Sequence, residues 1–310
     1  MPANEIRKVD IAVCTWNRSD LLTKTLASFS NLSIEPSVRL RIIIVDNNST
    51  DSTREVIQAF QDSDFASTNP VVALRETRQG HTYSRNCAVD AADSDLIIWT
   101  DDDVEVSSDW VAKYVEAANQ NPEVAFWGGE IVPKFETELP KWIKENWDAV
   151  KGCFAIREFS GDMELDVTRL PYGANFSIRT AVQKQHRFDE SLGRRGNEVL
   201  GEDELDLFRR LLAAGLRGQW VPGAGVKHYI PASRVSEKYV CDYFVGQGRA
   251  LVATGNPWHE DLELLVKEAK SERQKYKLKR WVSGSQVWVS HMLRSALAQG
   301  QANWLKENSN

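Results

Sequence analysis

Residues 10–51 read DIAVCTWNRSDLLTKTLASFSNLSIEPSVRLRIIIVDNNSTD, and this stretch decides the fold. The apolar run VDIAVC (9–14) leads into SDLLTKTLASF (19–29), a helical segment, and then into a second apolar run, LRIIIV (40–45). Near-continuous apolar runs belong to strands covered on both faces, and amphipathic segments between them are the helices that do the covering. The alternation continues with helical DSTREVIQAF (51–60), strand-like VVALRE (71–76), helical YSRNCAVDAA (83–92) and strand-like DLIIWT (95–100). A βαβαβαβ order predicts an α/β fold built on a Rossmann-like, mostly parallel sheet flanked by helices. Such sheets bind ligands outside the carboxyl ends of their strands, so the polar clusters at the strand exits are the places to inspect.

Beyond Val104 the pattern is less regular. Strand candidates fall at VAFWGGEIV (124–132), ANFSIR (174–179) and LRGQWV (216–221), and helices at DWVAKYVEAAN (109–119) and DELDLFRRLLAAG (203–215). After Pro231 the segments SEKYVCDYFVGQGRALVA (236–253) and HEDLELLVKEAKSERQKYKLKRWV (259–282) are helical. The expected organisation is therefore a regular α/β half at residues 1–103, a less regular half at 104–230, and a C-terminal helical appendage at 231–310.

A chain of 310 residues, 42% hydrophobic and 26% charged, can bury a real core and is neither disordered nor fibrous. Its net charge of -6 argues against nucleic acid as a partner, since phosphate contacts along a strand demand a basic face. Cys14, Cys87, Cys153 and Cys241 are scattered without a Cys-x-x-Cys pair, which suggests neither a zinc site nor a disulfide framework. The first residues lack the apolar stretch of a signal peptide, and no apolar run approaches the roughly 20 residues that span a bilayer. These features predict a cytoplasmic protein. The run KYKLKRWVSGSQVWVSHML (275–293) joins basic residues to Trp281 and Trp288. That composition is compatible with peripheral contact with the anionic inner face of a membrane, but an amphipathic helix packed on the protein is the expectation.

The strongest chemical signal is Asp101-Asp102-Asp103, directly after DLIIWT. Three adjacent acids at the exit of a buried strand repel one another unless a cation or solvent neutralises them. Mg²⁺ and Mn²⁺ prefer carboxylate oxygens and bind through one or two of them together with substrate phosphates. A solvated acidic turn capping the next helix has the same composition. The second exit, Asp46-Asn47-Asn48-Ser49-Thr50-Asp51, and the first, Thr15-Trp16-Asn17-Arg18, each place polar groups before a helix. Further on, Gly201-Glu202-Asp203 opens a helix, where acids are favoured by the helix dipole. His81, beside Gly80, reads as a loop residue, and Gly246-Gln247-Gly248 lacks the third glycine and the preceding strand of a dinucleotide fingerprint. The glycines of Trp127-Gly128-Gly129-Glu130 let a sugar or another backbone approach.

Taken in order, AVCTWNRSDLLTKTLASF (12–29), IIIVDNNSTDSTREV (42–56), QGHTYSRNCAVDAA (79–92) and WTDDDVE (99–105) resemble the nucleotide-binding half of inverting glycosyltransferases of family two, with the GT-A fold. GANFSIRTAV (173–182), RFDESLG (187–193), GEDELDLFRRLLAAG (201–215) and VPGAGVKHYIP (221–231) resemble the family's acceptor half, so the likeness covers roughly residues 9–230. The resemblance implies transfer of a sugar from a nucleotide diphosphate donor, most simply a UDP-sugar, to a hydroxyl of a carbohydrate or lipid-linked acceptor, in glycan or polysaccharide biosynthesis. It implies that Thr15, Asn17 and Asp46 line the base pocket, that Asp101 and Asp103 form the Asp-x-Asp pair, with Asp103 on a Mn²⁺ or Mg²⁺ ion and Asp101 nearer the ribose, and that Arg85 faces the diphosphate. Asp203, with Glu202 beside it, is implied as the catalytic base, and His228 as a further metal or diphosphate contact. Two other functions share parts of the pattern. A nucleotidyltransferase would show a Gly-rich phosphate loop after the first strand, which is absent here. A non-catalytic sugar-nucleotide or carbohydrate-binding protein would have no need of both acid clusters.

Overall fold

The protein is described by a computed structural model over residues 5–193, 203–253, 255 and 257–308; Glu202 lies outside these residues. The chain divides into two compact units, one formed by residues 1–134 with 155–229 and the other by residues 135–154 with 230–310.

The first unit is organised by a mixed sheet. Its strands are β1 (Lys8–Thr15), β2 (Arg39–Asp46), β3 (Val71–Arg75), β4 (Leu96–Thr100), β5 (Val104–Val106), β6 (Val124–Phe135), β7 (Met163–Glu164), β8 (Asn175–Arg179) and β9 (Arg217–Ile230). They lie in the order β3-β2-β1-β4-β8-β6-β9-β5, with β7 paired to β9. The four strands that the apolar runs foretold are parallel to their neighbours, as β1 pairs with both β2 and β4 and β2 with β3. At β8 the direction reverses, and β8 runs antiparallel to β4 and β6.

Alternate residues of the parallel strands feed two cores. Ile11, Val13, Ile42, Ile44 and Ile98 face Leu22, Leu26 and Phe29 of α1 (Ser19–Phe29) and Ile57 and Phe60 of α2 (Thr53–Gln61). Ala12, Ile43, Val45, Ile97 and Trp99 face Ala88 and Val89 of α3 (His81–Ala91) and Leu207, Phe208 and Leu211 of α5 (Asp203–Ala213). This double coverage is why the strands read as unbroken apolar runs. Another helix, α4 (Trp110–Gln120), adds Trp110 and Tyr114 to the first core.

The junction between the parallel and antiparallel strands is secured by Asn175. Its Nδ2 donates to the carbonyls of Glu130 and Ala224 at 2.8 and 2.7 Å, and its Oδ1 accepts from Trp110 Nε1 and Tyr114 Oη, both at 2.8 Å. All four hydrogen-bonding positions of the buried amide are used. Gly129 explains itself in the same place: a Cβ there would stand 2.1 Å from the Ala224 carbonyl and 2.6 Å from Asn175 Nδ2. Of the two readings of the WGGE strand, close approach of backbone accounts for this glycine.

The second unit contains α6 (Glu237–Ala253), α7 (Leu262–Val282) and α8 (Ser285–Asn308). Gly248 lies inside α6, where a Cβ would come within 2.2 Å of the Leu297 carbonyl, and Gly300 of α8 meets the Val245 carbonyl at 2.0 Å in the same way. The Gly-Gln-Gly sequence thus serves a helix crossing at backbone contact. No described helix is long and apolar enough to cross a membrane.

Truncating Asn175 strands two donors and two carbonyls in the core. Asn175→Ala is expected to lower stability by about 3 kcal/mol or more, given the desolvation cost of each orphaned group, and urea denaturation of the two proteins measures it.

Candidate active site

Register places the site. Thr15 pairs with Asp46 across β1 and β2, and Val13 with Thr100 across β1 and β4, so three strands end nearly level and release their polar exits side by side. The first two exits are sewn together. Asn47 N–H donates to the Thr15 carbonyl at 2.9 Å, Asn17 N–H to Ser49 Oγ at 2.9 Å, and Thr50 N–H to Asn17 Oδ1 at 2.7 Å. Asn17 and Asn48 hold φ of 51° and 62°, left-handed conformations that asparagine tolerates better than most residues. Asp46 is buried, accepting from Ser49 N–H at 2.8 Å, with Arg54 Nε 3.4 Å from its other oxygen. Thr15, Asn17 and Asp46 are therefore neighbours on one rim, each holding the rim's shape.

The acid triplet divides its work. Asp102 turns inward, accepting from Thr15 Oγ1 at 2.7 Å and Arg18 Nη1 at 3.0 Å. Burial pushes its carboxyl up to about 6, against the pull of Arg18 and with the repulsion of Asp103 added. Asp103 takes the same Arg18 nitrogen at 3.1 Å, and His228 Nε2 lies 3.4 Å from its Oδ1. That approach is built by β5 and β9, in which Val104 pairs with His228 while Tyr229 N–H donates to the Asp103 carbonyl at 2.8 Å. Asp101 is only half-buried. Asp103 and His228 are thus brought together, with Asp101 two residues before Asp103 at the strand exit, and Arg18, which the sequence gave no role, is the counter-cation of Asp102 and Asp103.

Among the described residues, no group of three or more His, Cys, Asp or Glu side chains is placed to hold a metal ion by itself. Carboxylates beside one imidazole instead make an open, hard donor set. Such a set suits Mg²⁺ or Mn²⁺ taken up jointly with a diphosphate, and the crowded negative charge favours a cation there.

A second cluster lies on the helix side. Arg85, from α3, is fully buried beneath the Phe188 ring, with its guanidinium carbon 5.0 Å from the ring centroid. Expected at the diphosphate, it instead donates from Nη1 to Asp203 Oδ2 at 2.8 Å, with Glu204 Oε2 3.5 Å from the same nitrogen. His81, at the start of α3 and not in a loop, brings Nδ1 to 3.5 Å from Asp203 Oδ2. Burial alone would raise the Asp203 carboxyl, but Arg85 and then His81 hold it well below the usual carboxylate range. Glu204 moves the other way, raised by burial and by the charge of Asp203. Gly173 N–H donates to Glu204 Oε1 at 3.2 Å, and a Cβ on Gly173 would stand 2.4 Å from Arg85 Nη2. Neither Glu204 nor Gly173 was expected; the only sequence signal was that Glu204 extends the run Glu202-Asp203. The two clusters share one neighbourhood. Cys14, whose thiol is pushed up chiefly by burial, also feels the charges of Arg85, Asp101 and Asp102.

Residues 10–179 match the family model described as glycosyl transferase family 2. The chain belongs to that family. It is 27% identical over 246 residues to the succinoglycan biosynthesis protein ExoM of Rhizobium meliloti, covering 75% of this chain and 70% of that one. It is 29% identical over 208 residues to a glucosyl-dolichyl phosphate glucuronosyltransferase of Haloferax volcanii, covering 66% of this chain and 63% of the relative. Among solved structures, the mannosyltransferase of Pyrobaculum calidifontis in complex with GDP-Man and Mn²⁺ superposes with a TM-score of 0.56 at 14% identity, over 99% of this chain and 76% of that one. S. aureus TarS does so with 0.57 at 12% identity, over 97% and 55%. The fold is GT-A, and the family 2 chain is a glycosyltransferase.

Removing the cation of the second cluster should reveal its role in holding Asp203 ionised. Arg85→Gln leaves a buried carboxylate without its partner, a loss of about 3–5 kcal/mol. In the wild type the depressed Asp203 contributes stability above its unfolded pKa and loses it only as pH falls through the lower folded value. In the variant, burial dominates and the folded pKa rises, so Asp203 takes up a proton on acidification. The deficit in urea midpoint is therefore expected to be larger at about pH 8 than at about pH 5. An equal deficit at both would mean that Asp203 does not depend on Arg85 for its charge.

Proposed function

We propose that the enzyme transfers a sugar from a nucleotide diphosphate donor, a UDP-sugar by the simplest reading, to a hydroxyl of a carbohydrate or lipid-linked acceptor, with inversion at the anomeric carbon. The observation that carries this reading is an acid-rich strand exit near a buried carboxylate kept ionised by its own arginine, Cys14 and Arg85 both feeling the charge of Asp101. Asp203 is the base. It takes the proton from the acceptor hydroxyl as that oxygen attacks the anomeric carbon from the side opposite the departing diphosphate, so a single displacement inverts the configuration. Its ionised state, secured against burial by Arg85 and His81, means that no prior deprotonation is needed. Arg85 in this reading is a positioning residue for Asp203. Glu202 stands beside the base in sequence.

Asp101, Asp103 and His228 hold the diphosphate end of the donor together with a divalent ion, Mn²⁺ or Mg²⁺. When bound, that ion supplies positive charge where the leaving nucleoside diphosphate develops negative charge. The neighbour from Pyrobaculum calidifontis, solved with GDP-Man and Mn²⁺, supports a metal of this kind. Asp46 accepts the N3–H of the base, on the rim shaped with Thr15 and Asn17. The names of the relatives, one for succinoglycan biosynthesis and the other for a glucosyl-dolichyl phosphate substrate, favour polysaccharide or lipid-linked glycan assembly.

Asp203→Asn keeps the shape of the side chain but cannot take the proton. Turnover with saturating donor and acceptor is expected to fall by about 10²–10⁴-fold while calorimetric affinity for the nucleotide diphosphate changes little. A rate within a few-fold of wild type would move the base elsewhere. For the donor end, Mn²⁺ should tighten nucleotide diphosphate binding in the wild type and not in Asp103→Ala, as isothermal titration with and without chelator would report. Equal affinities in all conditions would rule out the metal reading.

A further inference from the structure

The second unit carries a surface that the transfer chemistry does not use. Helix α7 buries one stripe, Leu265, Ala269 and Glu272, with Tyr276 half-buried one turn on. Its last turns present a second stripe. Leu278, Trp281 and Val282 are 70%, 80% and 77% exposed, and Val287, at the start of α8, is 43% exposed. Leu278 follows Tyr276 by two positions, about 200° around the helix axis, so the exposed stripe faces away from the buried one. Only seven large hydrophobic side chains are exposed among the described residues, and four of them stand at this one corner. Trp288, by contrast, packs against Trp142 and Tyr276, with ring centroids 5.6 and 6.0 Å away, and is buried. The two tryptophans that looked alike in the sequence therefore separate, one inside and one outside.

Along the last turns of α7 the charges have one sign, and the acid beside the start of α8, Glu145, accepts from Ser285 Oγ and pairs with Lys141. From Arg273 to Val282 the sequence RQKYKLKRWV holds five cations and no acid. Lys275 pairs with Glu272 at 2.6 Å and Arg280 with Glu237 at 2.6 Å. Arg273, Lys277 and Lys279 are exposed and form no ion pair recorded among the described residues. Lys277 and Lys279 are one position before and after Leu278, which sets them about 100° to either side of the apolar stripe. An apolar strip flanked by lysines, with an indole at its end, matches the boundary of an anionic bilayer. There the indole and aliphatic groups enter the headgroup layer while the ammonium groups remain among lipid phosphates.

We propose that the corner between α7 and α8, formed by Leu278, Trp281, Val282 and Val287 with Arg273, Lys277 and Lys279, docks the protein on the surface of a bilayer containing anionic phospholipid. The surface acts by position alone, so this inference goes beyond the reading of the transfer site and does not depend on it. The test is flotation of the full chain with vesicles of phosphatidylglycerol mixed with phosphatidylcholine, against phosphatidylcholine alone, at low and high salt. Wild type is expected to float with the anionic vesicles and to be released by salt. The double variants Leu278→Ser/Trp281→Ser and Lys277→Glu/Lys279→Glu are each expected to lower the partition coefficient by at least about tenfold, since each attracting lysine contributes about fivefold and the first pair removes the apolar groups that enter the headgroup layer. All the side chains changed are exposed, so folding should survive, and circular dichroism checks that it does. Asp203→Asn should float like wild type, which separates this proposal from the transfer mechanism. Three outcomes overturn it: no flotation of wild type with anionic vesicles at low salt, wild-type partition by the Leu278→Ser/Trp281→Ser protein, or sedimentation showing that the corner is covered by a second copy of the chain and that the same variant breaks that dimer.

Discussion

The catalytic unit depends on β1 running parallel to both β2 and β4 in nearly level register. Parallel strands joined by crossover helices must all enter their connections at the same edge of the sheet, so every polar exit loop emerges there. Because Thr15, Asp46 and Thr100 end their strands almost side by side, loops distant in sequence become hydrogen-bonded partners. The reversal at β8 then supplies the opposite wall from antiparallel strands, whose longer reach brings His228 beside Asp103. Asn175 holds that reversal in place, and its four hydrogen bonds leave no polar group of the amide unmatched.

The buried carboxylates of Asp102, Asp103 and Asp203 concentrate negative charge in a poorly solvated place, and two arginines balance it. Arg18 bridges Asp102 and Asp103, and Arg85 holds Asp203 beside Glu204. Buried ion pairs contribute little net stability because desolvation opposes the attraction, so their presence here is better understood through what they do to the carboxylates. The results differ between the clusters. Asp102 stays raised despite Arg18, whereas Asp203 is held low by Arg85 and His81. A raised carboxyl and a depressed one thus stand in the same neighbourhood, each set by its own partners.

The helical unit obeys a different constraint. Gly248 and Gly300 allow α6 and α8 to cross at backbone contact, and residues 135–154 are grouped with these helices although they precede β7 to β9 in the chain. The packed stripe of α7 leaves its far side to solvent, and there apolar and basic residues are combined in a way that neither a core nor an ordinary charged surface requires.

The sequence by itself determined the strands, the helices between them and the positions of the polar exits. Each of these is local: apolar runs bury on both faces, amphipathic segments on one, and loops follow directly. It also carried the ordered motifs that mark the family. Only the tertiary structure decided which charges face each other. Arg85 meets Asp203 across 118 residues and Thr15 meets Asp102 across 87, and no periodicity encodes such pairings. The same limit hid the division within the acid triplet, where three identical side chains differ only in which direction the turn points them. It also hid the contrast between Trp281 and Trp288, whose local sequences are alike but whose burial depends on which face of a helix finds a neighbour. Local pattern follows from the covalent order of residues, whereas partner choice follows from the close packing of distant segments, and a chain read one residue at a time holds the first but not the second.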